Sequence, residues 1–206
     1  MAAKKEQSTG GSLLELAVIV VVALGLALGI QAFLVKPYRI PSASMVPTLV
    51  TGQRILVNRI GHNFSEPSVG DVVVFHPPIG AEAQQCGEAD KPADQMCAKP
   101  QTRRSNTNFV KRVVAGPGDK ISLRNGHVIL NGKSQAAEEA KRDMRPCDGE
   151  ACTFRRTFTV PADHWFMMGD NRGDSDDSRF WGPVPNKWVI GGAFATYWPP
   201  KRIGTL

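Results

Sequence analysis

Three serines and one lysine stand out by their neighbours. Ser42 and Ser44 lie in Pro41-Ser42-Ala43-Ser44-Met45-Val46-Pro47-Thr48-Leu49, soon after a long apolar segment. Proline fixes φ and biases the preceding residue toward extended backbone, so this segment reads as stiff and extended, suited to presenting a hydroxyl. Lys111 lies in Asn108-Phe109-Val110-Lys111-Arg112-Val113-Val114. If that is a strand, Phe109, Lys111 and Val113 share a face and Arg112 points the other way. An unperturbed lysine is neutral in only about 0.04% of molecules at pH 7. Apolar flanks that lower its pKa by about two units raise that fraction about a hundredfold, at about 2.7 kcal/mol. A neutral amine can then take the proton of a serine hydroxyl and make it a nucleophile for acyl transfer. Ser175 lies in Gly169-Asp170-Asn171-Arg172-Gly173-Asp174-Ser175-Asp176-Asp177-Ser178-Arg179.

Each segment has a plainer reading. The serines suit a solvated linker, Lys111 an exposed strand edge, and the acidic stretch a surface loop or a calcium site. The acidic spacing departs from an EF-hand, and Arg172 and Arg179 offset the carboxylates. No metal or other cofactor is expected.

The elements that must position these groups follow from composition and punctuation. Residues Leu13–Val35 are apolar apart from Glu15 and Gln31. As a helix they would span roughly 34 Å, enough for a hydrocarbon core of about 30 Å. The segment is longer than a signal-peptide core, and Lys36 and Arg39 charge the region where cleavage would fall, so an uncleaved anchor is expected. Lys4 and Lys5 before it and Lys36 and Arg39 after it leave orientation open on charge alone. Residues 1–12 form a polar head, and 36–206 a turn-rich β domain with 79–106 as a surface insertion.

Within that domain the pattern predicts strands over Arg54–Ile60, Val72–Phe75, Asn108–Ala115, Thr153–Val160, Trp165–Met168 and Trp188–Tyr197. It also predicts a hairpin of Lys120–Arg124 and His127–Lys133 about Asn125-Gly126. Gly191-Gly192 suggests a bulge or a close approach. Gln135–Glu150 is polar and suits either a short helical turn or simply a loop. Trp188, Tyr197 and Trp198 suit either core or a membrane interface, with Trp188 leaning to core. The fold class is thus all-β on a single N-terminal transmembrane helix.

Cys86 and Cys97 bracket one polar loop, and Cys147 and Cys152 another. Neither pair has zinc-site spacing, and disulfides are the simplest reading, though sequence permits three pairings of four cysteines. Bridged cysteines would place the domain outside the cytoplasm. The net charge of +6 comes without a basic run interleaved with aromatics, which argues against nucleic acid and leaves an anionic lipid surface as a partner.

Taken together and in order, the anchor, P-S-x-S-M-x-P-T-L, K-R-V-x-x-G-P-G-D and G-D-N-R-x-x-S-x-D-S-R-x-W-G resemble bacterial type I signal peptidase. The resemblance implies a membrane-bound endopeptidase that cleaves signal peptides from exported preproteins after small-x-small sequences. It implies Ser44 as nucleophile and Lys111 as general base. Ser42 would serve the oxyanion hole and Ser175 would orient the lysine amine. Asp177 and Arg179 would buttress the loop carrying Ser175. Tyr38, Ile40, Pro41, Met45, Leu49, Phe109 and Val110 match positions near the substrate cleft. The implied setting is the bacterial inner membrane, with the N-terminus cytoplasmic and the catalytic domain periplasmic or extracytoplasmic, acting as a monomer. The chain differs from many members in having one span rather than two, and Asn108 stands where some have aspartate. Alternatives are a specialised relative maturing one pilin or secreted partner, and a non-enzymatic anchored binding domain. Self-cleaving serine–lysine repressors share the chemistry but carry a DNA-binding domain where this chain has its apolar segment.

Overall fold

The computed structural model describes residues 9–59, 66–140, 147 and 149–206. Most of the polar head (1–8) and part of the Gln135–Glu150 segment lie outside the described residues. Helix α1, Thr9–Phe33, carries the apolar segment. Leu14, Ile19, Val21, Leu24, Leu26 and Leu28 on it are exposed. Among the described residues, no helix is both long and apolar enough to cross a membrane.

The strands that follow are β1 (Val35–Arg39), β2 (Arg54–Asn58), β3 (Val72–Phe75), β4 (Phe109–Ala115), β5 (Lys120–Arg124) and β6 (His127–Leu130). After them come β7 (Lys133–Ser134), β8 (Phe154–Thr159), β9 (His164–Met168), β10 (Val184–Pro185), β11 (Val189–Trp198) and β12 (Gly204–Thr205). Among the described residues they form an antiparallel sheet in the order β1-β2-β11-β3-β4-β9-β10, with β12 beside β11. A second sheet has the order β7-β6-β5-β8. The short helices α2 (Ala136–Ala140) and α3 (Ser178–Trp181) complete the elements used below.

Alternation explains most of this. In β2 only Ile55 and Val57 are buried, as period-2 patterning requires. The hairpin predicted at Asn125-Gly126 forms between β5 and β6, with φ of 51° and 78° at its two central residues. The predicted second strand ends early because Asn131-Gly132 makes the same turn again, at φ of 50° and 79°, and reverses the chain into β7. Gly191 is a close approach: a Cβ there would lie 2.1 Å from the Asn58 carbonyl oxygen, and the β11 register shifts beside it. Trp188 is buried, while Trp198 is exposed.

Two expectations need correction. The Pro41–Leu49 segment is not extended; it runs through consecutive turns from Ser44 to Thr48. Val46 N–H donates to Ala43 O at 3.0 Å and Leu49 N–H to Met45 O at 2.8 Å. The cause is burial: Met45 and Leu49 drop into a core with Ile40, Ile55, Val57, Val72 and Val74, which pulls the chain round. The 79–106 stretch is also more than surface. Its Met96 is fully buried in the core of the second sheet, with Ile121, Leu123 and Phe166.

Candidate active site

Strand β4 is the site's backbone. It lies between β3 and β9, with Val73 opposite Lys111 and Met168 opposite Arg112. Both faces of its C-terminal part are buried, so Lys111 is no edge lysine; it is only 4% exposed. Its Nζ donates to Ser175 Oγ at 3.0 Å and lies 5.8 Å from the centre of the Phe109 ring. Burial pushes the amine down to about 8, although Asp177, Asp176 and Asp170 favour its charged form and only Arg179 assists the fall. At pH 7 about a tenth of the molecules then carry a neutral amine.

Lys111 and Ser175 line one cavity of about 620 Å³ with Ser42 and Ser44. The hydroxyls of Ser42 and Ser44 are 3.3 Å apart. Ile40, Pro41, Met45, Phe109 and Val110 also line the cavity. Two expected cleft residues lie elsewhere. Leu49 is wholly buried in the core, and Tyr38 packs against that core on β1.

What holds the serine turn against the lysine strand is the Gly169–Arg179 loop. Asn171 N–H donates to Ser44 O at 3.0 Å, and its side-chain amide to Ala43 O at 3.2 Å. At Gly169 a Cβ would meet Ser175 Oγ at 2.3 Å and Ser44 O at 2.4 Å, so only glycine lets the three elements converge. On the far face of β4, Arg112 grips Asp170 with two hydrogen bonds of 2.8 and 2.6 Å. Asp170 in turn accepts from Thr48 Oγ1 at 2.5 Å, which ties the serine turn down a second time.

Asp177 and Arg179 form a second buried pair, and Arg179 also donates to the carbonyls of Arg172, Ser175 and Ala151. Burial would raise the Asp177 carboxyl, but the charge and hydrogen bonds of Arg179 hold it below its usual range. Asp177 also caps α3, accepting from Arg179 N–H. Arg179 thus links the Asp177 carboxylate to the backbone carbonyl of Ser175. Arg172 extends the brace to the second sheet: it donates to Gly169 O and Gly126 O and pairs with the buried Glu139 of α2.

Sequence reasoning missed Arg112, Thr48, Asp170, Asn171, Arg172 and Glu139. The alternation that aimed Lys111 at one face put Arg112 on the other, a signal that a buried partner was required there. Cys86 is bridged to Cys97 and Cys147 to Cys152, the local pairing among the three allowed.

A family model described as "Signal peptidase, peptidase S26" matches residues 13–198. The chain belongs to this family. It is 38% identical over 181 residues to a signal peptidase I of Leptolyngbya laminosa, covering 88% of this chain and 77% of that protein. It is 31% identical to a signal peptidase I of Pseudomonas aeruginosa, over 89% of this chain and 72% of the relative. Signal peptidase IB of Staphylococcus aureus is 30% identical, with 91% and 90% covered. As a member of the peptidase S26 family, the chain is a peptidase, and its serine–lysine cleft is the candidate place for that chemistry.

Proposed function

We propose that this chain is a membrane-anchored serine endopeptidase that removes signal peptides from exported preproteins, with Ser44 as nucleophile and Lys111 as general base. The observation that carries the reading is the buried Lys111 amine, lowered to about 8, in the same cleft as Ser44 and oriented by Ser175.

The chemistry follows from these groups. A preprotein lies extended in the cleft, its backbone supplying affinity and the apolar side accepting only small residues before the cut. Neutral Lys111 takes the Ser44 hydroxyl proton as Oγ attacks the scissile carbonyl carbon. The oxyanion so formed is stabilised by the Ser44 backbone N–H and the Ser42 hydroxyl. Protonated Lys111 then gives its proton to the leaving amine, the C–N bond breaks, and the mature protein departs. Lys111 next deprotonates a water that attacks the Ser44 ester, which frees the signal peptide and returns the hydroxyl. No metal or cofactor enters these steps.

Placement completes the reading. The anchor rests on the sequence: the apolar run Leu13–Val35 is long enough for a hydrocarbon core, and its exposed side chains such as Leu14, Val21 and Leu26 are ones that lipid would cover. It leads straight into β1 and the serine turn, so Ser44 sits near the bilayer, where a signal peptide's cleavage site emerges. The two disulfides support an oxidising compartment, consistent with a β domain outside the cytoplasm of a bacterial cell and an N-terminus inside.

The test is processing of a preprotein by the full chain in detergent micelles. Wild type yields the shortened product, and Ser44→Ala and Lys111→Ala each abolish it while thermal unfolding stays cooperative. Substantial cleavage by Lys111→Ala would defeat the mechanism.

A further inference from the structure

The disulfide-closed stretch between β3 and β4 has no part in the chemistry described so far, yet it is built into the cleft. Its Cys97 N–H donates to Arg179 O at 2.8 Å. Gly182, just past α3, lies so close to it that a Cβ there would meet Lys99 O at 2.5 Å. With Met96 in the core, the stretch is fastened to the segment that carries Ser175, Asp176 and Asp177. Beyond the short helical turn Ala81–Ala83, Gln84 takes a left-handed conformation, φ 53°, and its N–H closes back on Ala81 O. Two residues later Cys86 is bridged to Cys97, and Gln101 donates to Gln85 O. From this frame the exposed Gln84 side chain lines the cavity and donates to the Asp176 carboxylate.

We propose that Gln84 is a positioning residue of the cleft: its amide, delivered by the disulfide-closed stretch, holds the Asp176 carboxylate on the rim and off the Lys111 amine. This rests on Lys111 being the base. The charged groups that act on that amine are Asp177, Asp176, Arg179 and Asp170. Asp177 and Asp170 are wholly buried and locked to arginines, as Arg179 is to Asp177. Asp176 differs from them: it is only half-buried, and among the described residues Gln84 is its side-chain tether. A carboxylate released beside a buried ammonium turns toward it, because attraction grows as water is excluded. The protonated lysine is then favoured, and less of the neutral base is present at pH 7.

The experiment is kcat/KM against pH for preprotein cleavage by the full chain in detergent, for wild type, Gln84→Ala, Asp176→Asn and the double variant. Gln84→Ala is expected to move the rising limb to higher pH by roughly half a unit, a loss of roughly threefold at pH 7. Asp176→Asn moves the limb the other way, and in that background Gln84→Ala moves it no further. Mass spectrometry of each variant without reduction checks that Cys86 and Cys97 stay bridged. A limb unmoved by Gln84→Ala, one moved toward acid, or a shift that persists in the Asp176→Asn background overturns the proposal. These failures are distinct from failure of the underlying reading, which appears as cleavage by Lys111→Ala.

Discussion

The amine of Lys111 and the hydroxyl of Ser175 meet at 3.0 Å, although 64 residues separate them in the chain. One sits on a central strand and the other on a loop locked by the Asp177–Arg179 pair, so neither can drift without disturbing the fold. The hydroxyl fixes where the amine points. Ser175→Ala should lower kcat about 10–100-fold with a smaller change in KM, because alignment is lost while the cleft stays open. Steady-state kinetics on a preprotein reads both parameters.

Keeping Lys111 dry carries a stability cost. Below about pH 8 both folded and unfolded chains hold the proton, and the folded one bears a buried ammonium at full penalty. Between about 8 and the unfolded value of 10.5 the folded chain has lost the proton and the unfolded chain still binds it, so stability rises with pH. Above 10.5 the penalty is gone. Lys111→Met should therefore unfold at a higher denaturant concentration than wild type at pH 7, by up to about 3 kcal/mol, with the gap closing as pH rises from 8 toward 10.5. Denaturant titrations of both proteins at several pH values measure the gap.

Gly169 is set by space and not by backbone angle. A methyl group there would collide with Ser175 Oγ and with the Ser44 carbonyl, forcing the base-orienting serine and the nucleophile turn apart. Gly169→Ala should cut kcat on the order of 100-fold, the scale expected for misplacement by about 1 Å. Its thermal midpoint, measured alongside, should also fall, because a collision with a backbone carbonyl costs about 1–3 kcal/mol.

Arg112 and Asp170 form a buried pair whose side chains are 8% and 0% exposed. Asp170→Asn or Arg112→Met alone leaves one charge buried without its partner, at about 3–5 kcal/mol. Replacing both should recover part of that loss. Equilibrium unfolding of the four proteins gives the coupling, and additive losses would contradict the pairing.

Much of this is legible in the sequence. Alternation in Phe109–Val113 placed the lysine face, Asn125-Gly126 placed a hairpin, and the apolar Val72–Phe75 run placed the strand beside the lysine. The serine turn was misread because proline predicts local stiffness, whereas the burial of Met45 and Leu49 decides the path, and burial is a tertiary fact. The same reason removed Leu49 from the cleft. The braces Arg112–Asp170 and Arg172–Glu139 join residues 58 and 33 positions apart in sequence. Nothing local announces such partners, beyond a charged residue on a strand with no exposed face.

The most direct measurement is the pH dependence of kcat/KM for preprotein cleavage by the full-length wild-type chain in detergent. If a dehydrated Lys111 takes the proton from Ser44, the rate rises with pH through a single ionisation near 8, the value burial imposes on that amine. A limb that keeps climbing to about 10.5 would mean an ordinary, hydrated lysine. A rate already flat between pH 6 and 9, roughly the range spanning the proposed ionisation, would mean that Lys111 is not the base.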